Sequence, residues 1–329
     1  MKFSQILTVV IGVCVLASAM PASAATMNYK LGVQSGTTSD VYAADSLANA
    51  EVSGFDTIDL AIEALKQGDV DFVLGDLPTL KFYQADSDGL SIAGSFSEED
   101  FGIGVASGDS DLLAAINVAL GEIIASGEYD TIFADTFGDE IVVLTDDTDA
   151  STATAYPENP TGTLADALAA ENLNFGTDPY YPPFESYDGD VIVGFDADIA
   201  AAIGAKIAAG YNQTGSFNVT MVEKTWDELL AFTYDNYDAT LSAMTKTAQR
   251  AENTDFTRAY YSSKQGILGL AGYNGVYSAA LPNGVDDLNF TWDIPTFDEF
   301  MAEEDDSPSL TVLVSALAIG LIAVARRKN

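Results

Sequence analysis

The sequence predicts an α/β protein of two lobes with largely parallel sheets, and three observations carry that reading. Short apolar runs alternate with amphipathic stretches along most of the chain, the pattern of strand–helix repeats. The amphipathic stretches hold apolar residues at three- and four-residue spacing and end on capping or stop residues. The chain has 329 residues, 48% of them apolar, enough for about two cores of ~100–150 residues each.

In chain order, the apolar runs predict strands over Tyr29–Gln34, Asp71–Gly75, Gly102–Ala106, Leu173–Gly176, Phe217–Val222, Ala239–Met244 and Gly266–Ala271. Ile58, Ile62 and Leu65 form one helical stripe, with Asp56 or Thr57 as cap and Gly68 as stop. Leu112, Leu113, Ile116, Leu120, Ile123 and Ile124 form a second, stopped at Gly127. Phe195, Ile199, Ile203 and Ile207 form a third behind Gly194, and Trp226, Leu229 and Leu230 a fourth. Between Asp139 and Thr163 the composition turns to Thr, Ser, Asp and Pro, which reads as a linker. The stretch 273–308 is acidic with Pro282, Pro295 and Pro308 and reads as a stalk.

Both ends read as targeting devices. Residues 1–24 carry Lys2, an apolar stretch from Ile6 to Leu16, and the small-residue site Ala22-Ser23-Ala24, the layout of a secretory signal. Cys14 lies inside it, so disulfides play no part in the mature body. Residues 309–329 hold an apolar run from Leu310 to Ala325 followed by Arg326-Arg327-Lys328. The run is at the short end for a bilayer span of ~17–25 residues, and the basic cluster would stay cytoplasmic. A plain membrane anchor and a processed sorting tail explain it equally well. The body is expected outside the cell, at the outer face of the membrane.

Charge and composition exclude whole classes of function. With 13 basic and 50 acidic residues the formal net charge is −37. A nucleic-acid partner is not expected, because a polyanion binder needs basic stripes. The chain has no histidine, which removes Ser-His-Asp triads and His-ligated metals. Gly102-x-Gly104 lacks the third glycine of a dinucleotide turn. The acid pairs Asp86/Asp88 and Asp188/Asp190 lack a full calcium loop. No cofactor and no metal are expected.

A run of motifs then carries a resemblance. Gly176-Thr177-Asp178-Pro179-Tyr180-Tyr181-Pro182-Pro183-Phe184-Glu185, Gly194-Phe195-Asp196-Ala197-Asp198-Ile199, Trp226-Asp227-Glu228-Leu229 and the segment from Ser242 to Arg250 follow one another over about 100 residues. In order and spacing they resemble extracellular solute-binding proteins of the polar amino acid type, the receptors of ABC importers. The family's second half is also recognisable, but in front. Leu31-Gly32-Val33-Gln34-Ser35-Gly36-Thr37-Thr38, Gly75-Asp76 and Phe101-Gly102-Ile103-Gly104-Val105 resemble its second-lobe strand and loop, its ligand-binding GD and its return strand. Asp286-Asp287-Leu288-Asn289 resembles the connector that normally precedes the second lobe.

The resemblance therefore implies a two-lobed type II periplasmic-binding-protein clamp, circularly permuted. It lies between the signal peptide and a C-terminal transmembrane tail like those of archaeal surface proteins. One lobe would span 26–100; the other would combine 101–138 with 164–272 across the linker 139–163. The hinge strands would be Phe101–Ala106 and Gly266–Ala271. Two fused half-proteins, or lobes exchanged between chains, are the competing readings.

The family's ligand fixes the chemistry expected of the site. An amino acid presents a carboxylate and an ammonium, and burying it needs a fork donor and an acid. Arg250 is the expected fork and Asp76 the acid for the ammonium. Thr37 and Thr38 open a helix whose free N–H groups favour an anion. Thr245 and the Ala243 backbone complete the polar cage by the resemblance. Tyr181, Phe184 and Trp226 are candidate walls, although an aromatic near a strand end serves as core as readily. Asp178 either faces a cationic ligand side chain or is structural. The function implied is capture of an amino acid, or similar small polar solute, for an ABC permease, without catalysis. The alternatives are a ligand-sensing surface receptor and a dehydratase-type enzyme, for which Asp178 or Glu185 would have to supply a carboxylate.

Overall fold

The computed structural model describes residues 29–271, apart from 48–49, 139, 141–143, 145–154 and 214–216. The signal segment 1–24, the connector 286–289, the stalk 273–308 and the tail 309–329 lie outside the described residues. Among the described residues no single helix is long and apolar enough to cross a membrane.

One eight-stranded sheet organises the chain. The first third lays down β1 (Tyr29–Gln34), β2 (Ala50–Phe55) and β3 (Phe72–Asp76), parallel and in the order β2-β1-β3. The later part lays down β5 (Asn172–Thr177), β9 (Asn218–Glu223) and β10 (Ala239–Thr240), parallel and in the order β9-β5-β10. In both triplets the earliest strand is central, the next lies outside and the last lies inside. Every residue of β3 is buried, as expected of a parallel strand covered on both faces.

Two long strands join the triplets. β4 (Leu90–Ala106) and β11 (Thr254–Leu270) pair antiparallel along their lengths, from Thr254 opposite Ala106 to Leu270 opposite Leu90. β11 also pairs with β3, and β4 with β10. The sheet is therefore mixed, not largely parallel. The expected hinge strands are the outer ends of these two much longer strands.

The helices expected from apolar stripes are present, and the one over Leu77–Ala85 was not expected. α1 (Thr38–Ser46) is capped by the Thr37 side chain, and α2 (Ile58–Gln67) ends on Gly68 at φ 79°. After α3 (Leu77–Ala85), α4 (Ser110–Ala125) and α5 (Glu128–Phe137), α6 (Gly162–Ala170) leads into β5. α7 (Phe195–Gly210) starts at Gly194, and α8 (Trp226–Leu230) opens with a capping box between Thr225 and Glu228. A small antiparallel sheet of β6 (Tyr180–Tyr181), β7 (Glu185–Asp188) and β8 (Val191–Val193) sits between β5 and α7.

Two further expectations change. The strand expected over Ala239–Met244 stops at Thr240, because Ala243 takes φ 44° and turns its N–H to Asp196 and the Tyr260 hydroxyl. The end of the expected linker is docked on the body. Tyr156 meets Tyr211 edge-on, and Thr161 donates to Asp111 through its N–H and hydroxyl.

Candidate functional site

A small cleft runs between the two strand triplets, with about 20 Å³ of room inside it, little more than a single water needs. Its walls come from the C-terminal ends of the parallel strands and the loops that follow them, where open α/β sheets place their ligands. Gln34 at the end of β1, Thr37 and Thr38 at the start of α1, and Asp76 at the end of β3 form one wall. Asp178, Tyr181, Glu185, Trp226, Ser242, Ala243, Thr245 and Arg250 form the other.

Nine of the ten expected site residues line this cleft. Phe184 does not: it is fully buried and packs its ring on Phe101 at 5.4 Å and Tyr261 at 4.9 Å. Its neighbours also include Phe137 and Phe195. The aromatic cluster beneath the cleft claims it as core, while Tyr181, three residues earlier, turns its hydroxyl into the site. Gln34, Glu185 and Ser242 line the cleft without having been singled out as ligand contacts. Gln34 stood inside the Leu31–Thr38 motif, two residues ahead of Gly36.

Arg250 sits on a short 3-10 turn, Arg250–Glu252, and is 8% exposed. Its guanidinium donates to the Thr245 carbonyl at 2.9 Å and, across the cleft, to the Gly36 carbonyl at 3.3 Å. It lies 5.2 Å over the Trp226 ring, a cation–π placement. Burial lowers its pKa to about 10, with the Glu99 and Asp76 charges opposing the fall. It remains a cation at neutral pH whose two bonds go to neutral carbonyls.

Asp76 accepts from the Tyr181 hydroxyl across the cleft at 2.6 Å and from Gln265 Nε2 at 2.9 Å. Burial, and then the neighbouring Glu99 charge, push its pKa up to about 8. Gln34 Nε2 donates to Asp178 Oδ2 at 3.0 Å, a third bond between the walls. Burial raises Asp178 to about 6, partly countered by that bond. Gln34 Oε1 and Trp226 Nε1 are buried with no hydrogen-bond partner, one acceptor and one donor for a guest to satisfy.

The floor is a pair of buried acids. Glu185 accepts from the Ser242 hydroxyl at 2.8 Å, and Asp196 from the Ala243 N–H and the Tyr260 hydroxyl, both at 2.9 Å. The second oxygen of each, Glu185 Oε2 and Asp196 Oδ1, is buried without a hydrogen-bond partner. Burial, with the charge of Asp196 beside it, raises Glu185 far above the usual carboxylate range. Among the described residues no group of acids and sulfur or nitrogen ligands is arranged to hold a metal ion.

Comparison with known proteins gives the following. Over 104 residues the chain is 35% identical to the ABC transporter arginine-binding protein 1 of Escherichia coli K12, covering 31% of this chain and 40% of that protein. Over 121 residues it is 30% identical to the glutamate-binding protein GluB of Corynebacterium glutamicum, covering 35% and 41%. The chain thus spans about two fifths of the length of these relatives. Among solved structures, it aligns with the ancestral amino acid-binding protein AncCDT-1, a precursor of cyclohexadienyl dehydratase, at 30% identity and a TM-score of 0.25. That alignment covers 28% of this chain and 38% of the other. The GluR0 ligand-binding core with L-glutamate aligns at 11% identity and a TM-score of 0.39, covering 77% and 88%. Residues 173–318, somewhat less than half of the chain, match the family of bacterial extracellular solute-binding proteins, family 3.

Proposed function

We propose that this protein is an extracytoplasmic solute-binding protein that closes on an amino acid and delivers it to an ABC permease. One observation carries the reading. A buried arginine whose donors meet only neutral carbonyls and a buried acid near its protonation point face one small cleft, joined by hydroxyls from both walls. That donor and acceptor set suits a ligand with a carboxylate at one end and an ammonium beside it. Asp178, with the unpartnered Gln34 amide oxygen beside it, adds acceptors farther along and favours a side chain that is itself cationic. The names of the relatives, arginine-, histidine- and glutamate-binding proteins, agree with the amino acid class.

The same reading includes the permuted order. The repeated strand order of the two triplets and the two long strands between them support a two-lobed clamp, with a front lobe of about 26–100 and a back lobe combining 101–138 with 164–272. The family match falls on the back of the chain. Anchoring through 309–329, and secretion by 1–24, complete the proposal from the sequence.

Calorimetry on the purified full chain against the common amino acids, one at a time, tests it. One ligand should bind with micromolar or tighter affinity. Arg250→Ala should weaken it by roughly 100-fold or more, because a carboxylate would be buried without its partner. A folded chain that takes up no amino acid overturns the ligand class and points to organic acids or peptides. Undiminished affinity in Arg250→Ala overturns the assignment of the fork.

A further inference from the structure

Glu99 has no part in the reading above, yet it joins the two walls of the cleft. It lies on β4 opposite Ser263 of β11, where the long strands pass between the two triplets, and is 4% exposed. One of its oxygens, Oε2, accepts from Thr38 Oγ1 at 2.9 Å and from Thr245 Oγ1 at 2.8 Å. Those hydroxyls come from opposite walls, and both residues line the cleft. A hydroxyl owns one proton and a carboxylate only accepts. Both threonine protons are therefore committed to Glu99, and neither is left to give to a ligand carboxylate.

We propose that Glu99 is a positioning residue that sets the polarity of the cleft. By drawing both hydroxyl protons away, it makes Thr38 and Thr245 acceptors for the ligand's ammonium. Arg250 and the N–H groups at the start of α1 are then left as the donors for its carboxylate. The surroundings hold this arrangement. Gln265 Nε2 donates to Asp76 Oδ1 at 2.9 Å and reaches Thr38 Oγ1 at 3.4 Å, so it too occupies acceptors and returns no proton. The charge acting on Glu99 is Arg250, which favours its ionised form, and the Glu99 charge in turn raises Asp76. Burial raises the Glu99 pKa, and the Thr245 and Thr38 bonds, then the Arg250 charge and a bond from Gln265, pull it back. The hydroxyls and the carboxylate are thus linked: losing a threonine proton donor makes Glu99 harder to ionise. The inference rests on the amino acid reading only for the ligand it names.

Two measurements on the full chain test it. The first uses no ligand: carbon NMR titration of labelled glutamate carboxyls, with Glu99 assigned from its loss in Glu99→Gln. Thr245→Val and Thr38→Val should each move the Glu99 midpoint upward, by roughly one pH unit or less. A midpoint that stays put in both variants overturns the proposal. The second compares L-arginine with N-acetyl-L-arginine, which keeps the carboxylate and lacks the ammonium. The wild type should favour L-arginine, and the near-isosteric Glu99→Gln should narrow that preference by roughly tenfold or more. An unchanged preference, in a variant that melts like the wild type, overturns it. If L-arginine binds neither protein, the ligand named above is wrong, and the ligand-free titration still decides the role of Glu99.

Discussion

Asp76 shows how a single residue ties binding to protons. Its ordinary value is 3.8, and in the fold burial and Glu99 carry it to about 8. At pH 7 it therefore holds a proton in the ligand-free cleft. An ammonium beside it favours the ionised form, so uptake of an amino acid should expel that proton. Calorimetry at pH 7 in two buffers of different ionisation enthalpy should show close to one proton released per ligand. The release should fade above about pH 8.5, where Asp76 is already ionised. No buffer dependence at pH 7 would mean that the ammonium does not meet Asp76. Arg250 and Asp76 were legible in the sequence because each stands in a motif with fixed neighbours. The role of Glu99 was not. It is one of 50 acids, and only the fold brings it between Thr38 of α1 and Thr245, which lie far apart in the chain. Phe184 was misplaced for a related reason: its neighbours Phe101, Phe137 and Tyr261 come from three other elements.

At the scale of elements, the turn into α7 is the most exacting join near the site. Gly194 stands at φ 125°, a region reserved for glycine, and a Cβ there would lie 2.4 Å from the Phe184 carbonyl oxygen. That carbonyl accepts from the Asp196 N–H, and the Pro183 carbonyl from the Phe195 N–H, so the turn fastens the helix start to the cleft floor. Gly194→Ala should cost about 2–4 kcal/mol of stability, combining backbone strain with a clash against backbone. Denaturant unfolding would check it, and a loss below ~0.5 kcal/mol would show that the turn relaxes freely. Four helices, α2, α4, α7 and α8, were legible from their apolar stripes, as in α2, which stops on Gly68, whereas α3, with Thr79 and Leu80 as its buried residues, was missed. The strands were legible only where they are apolar. β2 was missed because none of its residues is fully buried. The long strands were half missed because their middles, around Ser97–Asp100 and Ser262–Gln265, are polar. Those middles are strand only because each pairs with the other, and polar because they pass under the cleft.

Over the whole molecule, the same burial of acids meets a net charge of −37. Glu99 and Glu185 titrate above the ordinary carboxylate range, Asp76 near 8, and Asp178 and Asp196 near 6. An acid whose pKa is higher in the folded state than in the unfolded chain holds its proton in the fold after the unfolded chain has lost it. Between those two values the folded state binds more protons, so stability falls as pH rises. For Asp178 and Asp196 the loss runs from about pH 4 to about 6, and for Asp76 from about 4 to about 8. Overall repulsion acts in the same direction, since more of the 50 acids ionise as pH climbs. The ligand-free chain should therefore melt at a higher temperature at pH 5 than at pH 8. Salt separates the two causes, because it screens exposed charges with a Debye length of about 3 Å at 1 M while leaving buried groups nearly untouched. Raising sodium chloride from low concentration to 1 M should lift the melting temperature at pH 8 and shrink the gap to pH 5 without closing it. A gap that closes would assign the pH dependence to the surface alone. A melting temperature that rises with pH from 5 to 8 would mean that Asp76, Asp178 and the Glu185–Asp196 pair are ionised and paired in the folded protein.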